Sequence, residues 1–106
     1  MITTEKDMNF LEEGDVFSVE HFKSMPAKNY PDRMMGKILT VDGVEIFTSA
    51  AKIVKILDEL TKDDDITDLS RIEFTVIKAG TFNEKPILSL ATDNKAVQKK
   101  IRIILF

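Results

Sequence analysis

Apolar residues recur along this chain at two different periods. Ile53, Ile56, Leu57 and Leu60 follow the i, i+3, i+4, i+7 spacing of a helix with one apolar face. Lys52, Lys55, Asp58 and Glu59 fall mostly on the opposite side, which predicts one face on a sheet and the other in water. The hydroxyl of Thr48 or Ser49 is placed to cap the start of that helix. From Arg71 to Lys78 the period is two. Ile72, Phe74 and Val76 alternate with Glu73 and Thr75, the pattern of a half-buried strand.

Shorter β signals surround these two segments. Asp15 to Lys23 is rich in Val and Phe and reads as a strand. Ser24 to Met34 holds two prolines and an asparagine with no period, which predicts a long loop. Met35 to Val41 and Val44 to Thr48 read as strands joined by Asp42-Gly43, a two-residue hairpin signal of the I′ type. Thr61 to Ser70 is an acidic connection. Ala79 to Lys85 reads as a turn built on Gly80 and Asn83, and Pro86 to Ala91 as the strand after it, with proline where a strand tolerates it. Residues 1–14 read as an irregular lead-in and 15–92 as the domain. The remaining residues, 93–106, read as a C-terminal segment compatible with a strand, a short helix or an apolar oligomerisation tail.

The resulting order is β-rich, with five strands and one α-helix between strands 3 and 4. That is the order of the OB-fold, a partly open five-stranded barrel. An α+β sheet with the helix across one face has the same order. Of the 106 residues 43% are hydrophobic, which fits one globular domain. With no cysteine, disulfides, thiolate metal sites and cysteine nucleophiles are excluded. The first eleven residues are polar and lack the basic start and apolar run of a secretory signal. No apolar stretch is long enough to span a bilayer. A cytoplasmic protein without membrane contact is the expectation.

The segments GKILTVDGVEIFTSAAKIVKILDEL (Gly36 to Leu60) and IEFTVIKAGTFNEKPILSLA (Ile72 to Ala91) carry a resemblance. A strand pair ends in a Thr-Ser step, leads into an amphipathic helix and is followed by a Phe-containing hairpin. In this the chain resembles small phage or prophage OB-fold single-stranded DNA-binding proteins, over roughly Asp15 to Ala91. The resemblance implies sequence-independent binding of single-stranded DNA in replication or recombination, in the bacterial host cytoplasm. Many such proteins end in an acidic tail that recruits replication partners. This chain ends in KAVQKKIRIILF, basic then apolar, which puts tail-mediated recruitment in doubt.

Charge and aromatic placement decide which residues would do this. The formal net charge of -3 opposes indiscriminate nucleic-acid binding, so cations must converge locally. A single-strand site needs a cationic path for phosphates and rings on which bases stack, and an OB-fold builds it from the face of strands 2 and 3 with loops 1–2 and 4–5. The first loop and its flanks offer Lys23, Lys28, Tyr30 and Arg33, and strand 2 offers Lys37. The second loop offers Phe82 with Lys78 and Lys85 beside it. Phe22 and Phe47 join the groove only if their strands turn them that way; core packing is the ordinary fate of a strand Phe.

Other chemistry finds little support in these residues. His21, the single histidine, reads as a surface or interface residue. The acids Asp63, Asp64, Asp65 and Asp68 lack the glycine and distal glutamate of a calcium loop. No phosphate loop, nucleophile elbow or zinc-helix motif is present, so no catalytic set, metal or cofactor is expected. A homo-oligomer, dimer or larger, is expected from the Ile101 to Phe106 end, whose exposure would invite aggregation. The competing expectation is a protein–protein or phage structural adaptor module on the same barrel.

Overall fold

The computed structural model describes residues 9–26, 33–63 and 68–105. Among the described residues seven strands and two helices follow one another: β1 (Asn9–Phe10), β2 (Val16–Phe17), β3 (Val19–Pro26), β4 (Met34–Thr40), β5 (Glu45–Thr48), α1 (Ala51–Lys62), β6 (Phe74–Phe82), β7 (Lys85–Thr92) and α2 (Lys95–Leu105). A single 3-10 turn, Leu69–Arg71, precedes β6. The described strands form two sheets. One holds the antiparallel strands β3, β4 and β5, with β1 added in parallel along β5; the other is ordered β2-β6-β7.

The barrel expected from the order of elements is not formed. Closing it would need the free edge of β5 to pair with the second sheet. That edge is taken by β1, which sets Asn9 against Ile46 and Phe10 against Phe47. The Leu11 N–H extends this pairing to the Phe47 carbonyl at 3.2 Å. The first long strand also divides at Ser18, so that Val16 and Phe17 pair with β6 while Val19 onward pairs with β4. A second helix at the chain end departs from the expected single one.

Core positions explain the layering. α1 lies against β3, β4, β7 and α2. Its Ile53, Ile56, Leu57 and Leu60 are fully buried together with Ile38, Phe74 and Val76. The helix periodicity thus places the expected residues inward, each worth about 1.5–3 kcal/mol of burial. The phenyl rings of Phe17 and Phe74 meet at 5.9 Å where the second sheet joins this core. α2 contributes Val97 and Ile101. Asn94 starts α2 by accepting the Val97 N–H at 3.1 Å on its side-chain oxygen.

Two local expectations are corrected. Neither Thr48 nor Ser49 is the cap residue of α1. Ala50 occupies that position without a side-chain cap bond, while Thr48 Oγ1 accepts the Ala50 N–H at 3.2 Å. The turn types are also exchanged. Between β4 and β5 only Gly43 has a positive φ, 83°, and the Thr40 N–H reaches the Val44 carbonyl, giving a three-residue loop. The two-residue loop with both φ angles positive is Asn83-Glu84, between β6 and β7. Ala79 to Phe82, expected as turn, is therefore strand.

Candidate nucleic-acid interface

β3, β4 and β5 bury one face and leave the other open. Gly36, Ile38 and Thr40 alternate inward along β4, so Met35, Lys37 and Leu39 point outward. Cross-strand register then assigns the neighbours. Lys23 lies opposite Lys37, Lys37 opposite Phe47, and Phe47 beside Phe10. These four positions form one row across four strands, two cations followed by two rings. At a strand spacing of about 4.8 Å the row spans about 14 Å.

The rings of the row are in contact. Phe10 and Phe47 have centroids 6.5 Å apart, tilted by 50°. Phe10 is 49% exposed, a high value for a ring that soluble proteins usually hide. Beyond the row, Met25 faces Met35 across β3 and β4; on its other side His21 faces Leu39, which faces Glu45. No described element covers this face, because α1 lies on the other side of the sheet, against Ile38.

Lys23 and Lys37 stand directly opposite each other, an arrangement that destabilises a sheet. Glu45 relieves part of this through an ion pair of 3.2 Å with Lys37. Both partners are half in solvent, so the pair is worth at most about 1 kcal/mol. Lys23 is exposed and forms no ion pair among the described residues. A polyanion laid along the row would satisfy both cations.

A second set of the expected residues lies on the β6–β7 hairpin. Its outer half overhangs the body, and every residue from Ile77 to Pro86 is exposed. Phe82 is 68% exposed beside the Asn83-Glu84 turn, directly opposite Lys85, and Lys78 lies at the base of the overhang opposite Leu88.

The structure therefore gathers Lys23 with Lys37, and Phe82 with Lys85, whereas the bulge at Ala79 leaves Lys78 on the other face of the hairpin, the face of Phe74 and Val76. Arg33 belongs to neither set. It lines a cavity of 580 Å³ on the helix side of the sheet, with Ser24, Val54 and Lys55. Lys28 and Tyr30 lie outside the described residues. Phe22 turns inward over Gly36, whereas Phe47 turns outward. Sequence reasoning missed Phe10, whose strand exists only through its pairing with β5. The signal available was the apolar pair Phe10-Leu11 between Asn9 and Glu12 in a polar lead-in.

Ionisable groups elsewhere offer little chemistry. No described ionisable side chain is buried. Among the described residues no three His, Cys, Asp or Glu side chains gather within reach of a metal ion. Asp68 carries a perturbed carboxyl. The Ser70 hydroxyl, then the Ser70 N–H at 3.0 Å and the Arg71 guanidinium at 3.4 Å, hold its carboxyl below the usual range. These bonds tie down the 3-10 turn, a structural task. No described helix is long and apolar enough to cross a membrane.

No family model, no curated protein and no solved structure matches this chain.

Proposed function

We propose that this chain binds single-stranded DNA without sequence preference, on the open face of β1, β5, β4 and β3. The row Lys23–Lys37–Phe47–Phe10 carries the reading. Phosphates would lie against Lys23 and Lys37, and bases would stack on Phe47 and Phe10. Stacking on a ring needs no base identity, because every base has a π-face. Phe82 with Lys85, on the overhanging hairpin, forms a second contact of the same chemistry. Protection of replication or recombination intermediates in a phage or prophage, in the host cytoplasm, is the role the sequence resemblance implies.

Fluorescence anisotropy of a labelled oligo-dT of about 30 nucleotides, several times the stretch one small domain covers, tests this beside a duplex control. Single strands bind and duplex binds far more weakly. Phe10→Ala, at a half-exposed position, weakens binding by about 1–3 kcal/mol, roughly 5- to 150-fold, without lowering the melting temperature. Equal binding of wild type and Phe10→Ala, or none by the wild type even at low salt, overturns the reading.

One observation favours a second reading. Met25, Met35 and Leu39 make much of the same face apolar, which suits a protein partner of adaptor type. Absence of DNA binding by an intact fold selects that alternative.

A further inference from the structure

Between the two sheets lies a groove of mixed apolar and polar lining. It has a volume of 320 Å³ and is lined by Phe10, Val16, Phe17, Thr40, Val44 and Ile46, with Asp15 and Asp42 among the lining residues. Val16 and Val44 are both substantially exposed there. Single exposed apolar residues are ordinary; two gathered in a concavity beside Phe17 and Ile46 mark a place of contact. Glu12 and Glu13, on the turn between β1 and β2, are exposed and add negative charge nearby.

The outward side of α2 has the complementary character. Val97 and Ile101 hold the helix on the core, and Ile104 and Leu105 pack beside them. Ile103 points away and is 72% exposed, the highest value among the described large apolar side chains. Lys99 lies one turn earlier on the same side, with Lys95 and Arg102 flanking. These three cations are exposed and make no ion pair among the described residues. Like charges four apart on a helix cost stability unless something outside neutralises them.

We propose that this stripe of α2 docks into the groove of a second copy of the chain. Ile103 enters between Val16 and Val44, and Lys99 and Arg102 meet Asp15 and Asp42. The stripe cannot serve its own chain's groove, since α2 is fixed on α1 and β7. Helix and groove are different surfaces, so the contact is heterologous. Copies join head to tail into a ring or an open chain. This inference does not depend on nucleic-acid binding and is tested without nucleic acid.

Sedimentation equilibrium of the full chain, from low micromolar to near millimolar, gives a mass that rises with concentration above the 12.0 kDa of one chain. Ile103→Asp removes the stripe and Val44→Asp removes the groove. Each variant stays at 12.0 kDa with its melting temperature retained, because both side chains are exposed. An equimolar mixture keeps one intact stripe and one intact groove, and forms a heterodimer of twice the 12.0 kDa chain mass. A wild type that stays monomeric throughout overturns the proposal. So do single variants that still assemble, or a mixture that does not pair.

Discussion

At the scale of single residues, two bulges, one in each sheet, decide which way the side chains beyond them turn. Val19 pairs with Thr40 and His21 with Leu39, leaving Glu20 as the extra residue. Val19 and Phe22 therefore both turn inward although an odd number of positions separates them. Simple alternation from Phe17 would have mis-assigned every residue beyond the bulge. Ala79 does the same in β6, so that Phe82 does not share the face of Phe74 and Val76. Gly36 is the residue that lets Phe22 lie flat. A Cβ there would sit 2.8 Å from Phe22 Cε1 and 3.3 Å from Thr48 Cγ2. Gly36→Ala consequently costs about 1–3 kcal/mol as overpacking, and lowers the melting temperature by about 4–8 °C per kcal/mol in a domain of this size. A thermal melt followed by circular dichroism reads this directly; an unchanged midpoint would show that the ring moves aside at no cost.

At the scale of elements, α1 is the most legible part. Its apolar stripe is set by local spacing, and burial of Ile53, Ile56, Leu57 and Leu60 follows. Its start was less legible. Thr48 and Ser49 both carry a suitable hydroxyl, but β5 runs through Thr48, and the extended cap position falls on Ala50. The first N–H groups of α1 thus lack a side-chain acceptor. Ala50→Ser, at φ -66° and ψ 111°, supplies one. It raises stability by about 0.5–2 kcal/mol in urea unfolding with an unchanged slope. A lowered midpoint would mean that the loss of apolar packing at this half-buried position outweighs the cap. The hairpins teach the converse lesson. Asp42-Gly43 is a strong local I′ signal, yet the loop there is three residues long, because Thr40 pairs with Val44 on both its backbone and its hydroxyl.

At the scale of the whole molecule, the distribution of charge matters more than its sum. A net charge of -3 would repel a polyanion at long range. The open face nonetheless sets Lys23 beside Lys37, and the hairpin adds Lys85 beside Phe82. Binding carried by so few phosphate contacts has a shallow salt dependence. Each contact contributes about -0.7 to the slope of log K against log salt for single strands. Three lysines predict a slope of about -2, and Lys23→Ala reduces its magnitude by about 0.7. Anisotropy titrations across a series of salt concentrations measure both values. A slope that Lys23→Ala leaves unchanged would place the phosphates elsewhere.

Local pattern alone determined that this chain is β-rich, that one amphipathic helix follows the β4–β5 hairpin, and which residues of that helix are buried. Those properties depend on spacings of two and 3.6 residues, which any short window contains. Tertiary structure decided the rest. β1 exists because the edge of β5 accepts it, and that pairing both prevents barrel closure and brings Phe10 to Phe47. The last segment is a helix because α1 and β7 offer Val97 and Ile101 a place to be buried, a choice its sequence left open among three forms. The row of two lysines and two phenylalanines joins residues from four strands through register, which is a property of pairing and not of any stretch of chain.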